Sequence, residues 1–170
     1  SIANACTLLN SKLKQNREQK YIEIVKKYKE VEQNRFPELF GMLVLALDSD
    51  MVDVLGNVYM GLESGSKYTG QFFTPNQISR LTARLMPPVT DADGIIRFTE
   101  PTCGSGGMVI AYAKALFEQG VNYQKKLEVI AQDIDYRCVH MCYVQLSLLG
   151  IKATVIRQNT LTLEETSEDS

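Results

Sequence analysis

No stretch of this chain is long and apolar enough to span a bilayer, and no signal-peptide pattern opens it, so a membrane partner is not expected. A basic excess is also missing. The 18 Lys and Arg stand against 20 Asp and Glu, a net charge of −2, which argues against a free-standing nucleic-acid binder. Cysteine is scarce: Cys6, Cys103, Cys138 and Cys142 show no zinc spacing, and only Cys138 and Cys142 share one expected helix. They are expected to be reduced thiols in a cytoplasmic protein, with no metal. The single histidine, His140, falls inside an expected helix and is read as a packed or surface residue rather than a base. Repeats and low-complexity segments are absent. Two phosphate-binding signatures, G-x-G-x-x-G and the P-loop Gly-Lys-Ser/Thr, are absent as well. With 170 residues, 45% of them hydrophobic and 22% charged, the chain has the composition of one globular domain, with room for an appendage.

What is present centres on residues 94–107, Gly-Ile-Ile-Arg-Phe-Thr-Glu-Pro-Thr-Cys-Gly-Ser-Gly-Gly. Ile95, Ile96 and Phe98 predict a buried strand, stopped at Glu100-Pro101 because proline cannot donate to a sheet ladder. Gly104, Gly106 and Gly107 then open a helix whose apolar stripe is Met108, Tyr112, Ala115 and Leu116. Glycines allow positive φ and close approach of a ligand to the main chain, and the helix start offers unpaired N–H groups. Glu100, at the strand's carboxyl end, can accept hydrogen bonds from an ammonium group. A zwitterionic ligand with a cationic end suits this better than a pyrophosphate. Glycine-rich strand-to-helix turns also occur with no ligand.

Residues 1–64 predict an all-helical region. Tyr21, Ile24, Val25, Tyr28 and Val31 lie on one face of an amphipathic helix, residues 36–47 are apolar nearly all round and should be buried on most sides, and Asp48–Asp50 can cap the next helix. Met51, Val54, Leu55, Val58, Tyr59 and Leu62 make a further stripe, with Gly65 as a stop. Thr74, Pro75 and Gln77 predict a helix start with an N-cap, a first-turn proline and a capping-box residue, followed by a buried stripe at Ile78, Leu81 and Leu85. Phe72 and Phe73 precede it; one can staple the helix and the other can stack on a flat ligand. Leu127–Ala131 predicts a second strand ending at Asp133, placed to take a ribose hydroxyl pair. Asp135 caps the next helix, with a stripe at Tyr136, Val139, Tyr143 and Leu146, and Gly150 ends it. Ala153–Ile156 is a third strand that brings Asn159 to its carboxyl end, the usual place for ligand contacts in open α/β sheets.

Gly70-Gln71-Phe72-Phe73-Thr74-Pro75, then Glu100-Pro101-Thr102-Cys103-Gly104-Ser105-Gly106-Gly107, then Gln132-Asp133-Ile134-Asp135, resembles the N-6 adenine DNA methyltransferases, above all the modification subunits of type I restriction systems. The resemblance covers about residues 50 to 162. It implies S-adenosylmethionine as cofactor and a Rossmann-like, doubly wound methyltransferase sheet, here partial with about three strands, behind an N-terminal all-helical region. The implied organisation is a helical subdomain over 1–64, the cofactor-binding α/β domain over 65–162, and an acidic tail over 163–170. By position, Phe73, Thr74 and Pro75 would contact the methionine end, with Phe72 nearby. Glu100 would bind its ammonium, and Gly104, Ser105 and Gly106 would pass beneath it, with Pro101, Cys103 and Gly107 in the same loop. Asp133 would take the ribose hydroxyls, Ile134 would lie against the adenine, and Asn159 matches an aspartate that contacts the adenine ring.

The sequence departs from the family pattern in places. Glu100 stands for the usual aspartate, Gln145 and Leu149 stand where asparagine and histidine are common, and Gln158-Asn159 replaces Gly-Asp. The catalytic N-P-P-F/Y has no counterpart, since the one Pro-Pro pair, Pro87-Pro88, precedes the glycine loop. No catalytic residue is therefore assigned. The resemblance implies the S-adenosylmethionine-binding portion of a DNA adenine-N6 methyltransferase. Its partners would be DNA, met through regions absent from this chain, and specificity or restriction subunits. The alternative is a catalytically inactive methyltransferase-like module that binds cofactor or mediates protein interaction.

Overall fold

The computed structural model describes residues 11–63 and 73–162. Gly65, Gly70, Gln71, Phe72, Cys6 and the acidic tail 163–170 lie outside them. The chain divides into two compact units between Leu45 and Ala46.

The first unit contains helix α1 (Ser11–Val25), the short α2 (Glu30–Gln33) and most of α3 (Arg35–Ser49). The expected continuous stripe from Tyr21 to Val31 is interrupted, because α1 ends at Val25. Gln33 holds that break by donating its side-chain amide to the carbonyls of Val25 (3.1 Å) and Tyr28 (2.8 Å), and Glu32 accepts the Lys29 N–H at 2.8 Å. Tyr28 meets Phe36 edge to face at 5.2 Å. Residues 36–47 are not buried on most sides. Leu43 and Leu47 are buried, whereas Leu39, Met42 and Leu45 are exposed.

The second unit is built on a three-stranded parallel sheet, β1 (Ile96–Glu100), β2 (Leu127–Asp133) and β3 (Lys152–Arg157), in the order β1-β2-β3. Phe98 pairs with Val129, and Val129 with Ala153. Parallel neighbours need crossovers, and α6 (Gly107–Glu118) with the short α7 (Tyr123–Lys126) supplies the first, α8 (Tyr136–Leu148) the second. Leu127, Val129 and Ala131 are buried on one face of β2, and Ile130 between them is exposed on the other. Helix α6 is sunk in the core. Val109, Ile110, Tyr112, Ala113, Ala115 and Leu116 are all buried, and Phe98 stacks on Tyr112 at 4.9 Å.

Two further helices, α4 (Val54–Glu63) and α5 (Asn76–Leu85), belong to this unit. The cap of α4 is Asp53, whose carboxylate accepts the Gly56 N–H at 2.9 Å, rather than Asp48–Asp50. Asp50 instead pairs with Lys114 of α6, and that hydrogen bond holds its carboxyl below the usual range. Helix α5 begins one residue later than expected. Pro75 is extended (ψ 140°), so it is the cap residue, and no side chain caps the helix. Its buried face is also different: Ser79 (1% exposed) and Ala83 (0%) face inward, while Ile78 (51%), Leu81 (59%) and Leu85 (75%) face out. Small residues let α5 lie close against α6, and closeness rather than apolarity selects the inner face. Helix α8 likewise turns Cys138, Cys142, Gln145 and Leu146 inward and leaves Tyr136 exposed. Among the described residues, no helix is long and apolar enough to cross a membrane.

Candidate functional site

The site is assembled at the carboxyl ends of β1 and β2. β1 ends in Glu100, and the chain turns through Pro101–Ser105 into α6. Gly104 (φ +52°) and Gly106 (φ +98°) are both left-handed, a conformation that a side chain would strain. Space demands glycine too. A Cβ on Gly104 would stand 3.0 Å from the Phe73 ring, and one on Gly106 would stand 3.2 Å from the Cys142 sulfur. Main chain therefore lies directly against ring and thiol, which is why a glycine-rich sequence is needed here.

Asp133 closes the loop from the other strand. Its Oδ2 accepts the Gly104 N–H at 2.8 Å and its Oδ1 accepts the Asp135 N–H at 3.0 Å. The Cys103 N–H donates to the Gln132 carbonyl at 2.7 Å, and the Gln158 N–H donates to the Asp133 carbonyl at 3.0 Å. The Thr160 hydroxyl reaches the Pro101 carbonyl at 2.6 Å. All three strand ends are thus tied to one loop.

Glu100 is half-buried, and that burial raises its carboxyl above the ordinary range, with the negative charge of Asp133 adding to the effect. The Thr102 N–H, at 3.3 Å from Glu100 Oε1, partly opposes the rise. Among the described residues, the groups acting on this carboxyl include no cation. Asp135 is in the opposite condition. It accepts the Arg137 N–H and guanidinium, the latter at 2.8 Å, and its carboxyl is lowered. The same guanidinium lies 5.6 Å from the centre of the Tyr59 ring, and Tyr59 packs on Phe73 at 5.5 Å. An aromatic and cationic stack therefore runs from α8 through α4 to the glycine loop. Burial also pushes the Cys138 thiol up to about 12, and Cys142 is raised by its contact with Cys103 and by burial.

The residues singled out from the sequence fall into three groups. Phe73, Glu100, Gly104, Gly106 and Asp133 come together around the loop. Thr74, Pro101 and Ile134 are exposed beside it, while Cys103 is buried beneath it. Ser105 is buried too and turns its hydroxyl inward, to Asp53, while Gly107 starts α6. Asn159 engages its side-chain oxygen locally, accepting the Leu161 N–H at 3.0 Å in an Asx turn. Sequence reasoning missed Asp53, Tyr59 and Arg137, and saw Gln145 only as a departure. The one local signal was Asp53-x-x-Gly56, an N-cap spacing.

The sequence profile of the family described as N-6 DNA methylase matches residues 50–170. A methylase subunit of the type I restriction enzyme MpnII from Mycoplasma pneumoniae is 26% identical over 126 residues, 69% of this chain, which spans 22% of that protein's length. Among solved structures, the modification subunit of a type I restriction enzyme from Vibrio vulnificus is similar over 63% of this chain and 23% of its own, with 19% identity and a TM-score of 0.51. A type I restriction-modification methyltransferase subunit from Streptococcus thermophilus is similar over 69% of this chain and 25% of its own, with 18% identity and a TM-score of 0.46. The Vibrio vulnificus likeness agrees with a three-stranded parallel sheet preceded in the chain by an N-terminal helical region, part of a Rossmann-like methyltransferase fold.

Proposed function

This chain belongs to the N-6 DNA methylase family, and on that premise we propose that it is the S-adenosylmethionine-binding portion of a DNA adenine-N6 methyltransferase of the type I restriction-modification kind. The observation that carries the reading is the convergence of Glu100, the Gly104–Gly106 main chain and Asp133 at the carboxyl ends of two adjacent strands.

The residues present fit that cofactor. Glu100, half-buried and raised by desolvation, gains most from a cation, and the cofactor's ammonium supplies one. Gly104 and Gly106 give the loop its two left-handed turns and let its main chain pack directly against the Phe73 ring and the Cys142 sulfur. Each oxygen of Asp133 holds one backbone N–H and keeps a second lone pair for a ribose hydroxyl. Ile134, exposed one residue beyond, offers an apolar surface to an adenine, and Phe73 backs the loop. When bound, the cofactor would supply an electrophilic methyl group on a sulfonium. The chain's own part is to bind and orient it. Groups that draw the target amine into line would come from regions outside this sequence, as would contacts to DNA and to specificity or restriction subunits.

Calorimetric titration of S-adenosylhomocysteine, the demethylated product, into the purified chain tests the reading. Asp133→Ala should cost about 1.5–3 kcal/mol of affinity, the worth of hydrogen bonds to an ionised carboxylate. Unchanged affinity in that variant would remove the ribose assignment.

A further inference from the structure

The least expected feature of the molecule is a polar cluster sealed beneath the glycine loop. Asp53 (4% exposed), Ser105 (1%) and Gln145 (0%) come from three separate elements: the segment before α4, the loop, and α8. Asp53 Oδ1 accepts the Gly56 N–H and the Gln145 amide, both at 2.9 Å, and Oδ2 accepts the Ser105 hydroxyl. Gln145 also donates to the Ser105 carbonyl at 2.8 Å and accepts the Leu55 N–H at 3.0 Å. A buried carboxylate without a cation is costly unless donors surround it, and here three do. The fit is tight enough to dictate a second glycine site. A Cβ on Gly56 would stand 2.1 Å from Asp53 Oδ2 and 2.3 Å from Ser105 Oγ, and one on Gly107 would stand 3.1 Å from Asp53 Oδ2.

Asp53 is bonded to Ser105, the residue between the loop's two left-handed glycines. Asp133 holds Gly104 from the outside, and Asp53 holds Ser105 from the inside. On the function proposed above, Gly104–Gly106 is the main chain that the cofactor approaches, and both glycines adopt positive φ.

We infer that Asp53 is a positioning residue: through Ser105 and Gln145 it fixes the Gly104–Gly106 main chain in its ligand-accepting shape, and so sets cofactor affinity without contacting the cofactor. The affinity part rests on the function proposed above. A carboxylate that served only stability would affect the free and ligand-bound protein equally and leave affinity untouched.

The test uses Asp53→Asn, which keeps the shape and loses one acceptor, and Ser105→Ala, which removes only the hydroxyl. Two quantities are read on the full chain: S-adenosylhomocysteine affinity, and hydrogen exchange at the Gly104, Ser105 and Gly106 amides without ligand. Both variants should bind on the order of ten-fold more weakly, and loop amides should exchange on the order of ten-fold faster while Val129 in β2 is unchanged, as expected for a lost buried hydrogen bond. Wild-type affinity together with wild-type loop exchange in either folded variant overturns the inference. If Asp53→Asn does not fold, Ser105→Ala decides alone. Should the wild-type chain bind no S-adenosylhomocysteine, the cofactor reading fails instead. The exchange rates of the unliganded variants then decide whether Asp53 fixes the loop.

Discussion

Asp133 Oδ2 accepts the Gly104 N–H at 2.8 Å, across a sequence separation of 29 residues, and this bond joins the end of β2 to the loop that follows β1. The other oxygen holds the Asp135 N–H at 3.0 Å, at the start of α8. One side chain thus organises both loops of the site. Asp133→Asn should therefore destabilise the unliganded protein, because an amide has one acceptor oxygen for two donors. One backbone N–H would face an NH₂ group, at a cost of about 1–3 kcal/mol. Urea unfolding measures it, and a midpoint equal to that of the wild type would mean that the carboxylate is not structurally engaged.

Glu100 predicts a pH effect of definite sign. Burial raises its carboxyl above the unfolded value, so the folded protein holds the proton more tightly than the unfolded chain. Its favourable contribution is full below the ordinary glutamate range and is lost as pH rises through the raised value. Glu100→Gln should accordingly gain stability over the wild type at neutral pH, and the gain should vanish in acid. Thermal melts from about pH 3, roughly one unit below the ordinary glutamate value, to about pH 8, well above it, would show it. A difference that grew in acid would reverse the assignment. The same variant should bind S-adenosylhomocysteine more weakly, since a neutral amide does not pair with an ammonium.

The sheet and its loop are legible in the sequence because their signals are local. The strand residues Ile96 and Phe98, the proline stop at Pro101 and the glycine cluster sit side by side, and the strands at 127–133 and 152–157 extend those expected by at most two residues at either end. The helical faces are a different matter. Ile78, Leu81 and Leu85 have helical spacing and high hydrophobicity, yet Ser79 and Ala83 point inward, since spacing shows that a stripe exists but not what lies opposite it. In α8, Cys138, Cys142 and Gln145 repeat at the same period as the expected stripe, rotated around the helix. Gln145 is buried with partners remote in sequence, Asp53 lying 92 residues earlier and Ser105 40. No window of sequence contains both. The inward bond of the Ser105 hydroxyl is hidden for the same reason, since its partner Asp53 lies 52 residues away.

Two glycines in α4 should respond oppositely to alanine. In a helix interior, Gly to Ala gains about 0.8–1 kcal/mol where there is room. At Gly61, among the described residues, an added Cβ meets no neighbour outside the helix's own backbone within 4 Å, so Gly61→Ala should stabilise by about that amount. At Gly56, the added carbon would overlap Asp53 Oδ2 at 2.1 Å and Ser105 Oγ at 2.3 Å, both inside a packed cluster. Displacing a buried carboxylate costs about 3 kcal/mol or more and outweighs the propensity gain. Chemical denaturation of the two variants side by side is the measurement. Equal midpoints would show that the Asp53 cluster yields freely.

The last expectation is that these 170 residues by themselves transfer no methyl group to DNA. The exocyclic nitrogen of adenine shares its lone pair with the ring, so acceptors beside the cofactor must draw it toward tetrahedral geometry and aim it at the methyl. The N-P-P-F/Y segment that would do this by resemblance has no counterpart in the sequence. The acids of the site are otherwise occupied: Asp133 anchors two loops, Asp135 holds Arg137, and Glu100 is suited to an ammonium. The net charge of −2 lacks the basic excess usual in a nucleic-acid binder. Without alignment, most of the rate is lost, since positioning supplies roughly 7–11 kcal/mol of barrier reduction. Incubating the chain with labelled S-adenosylmethionine and mixed-sequence duplex DNA should yield no N-6-methyladenine above background. Turnover that Glu100→Ala abolishes would place an acceptor for the adenine amine within this chain and overturn the expectation.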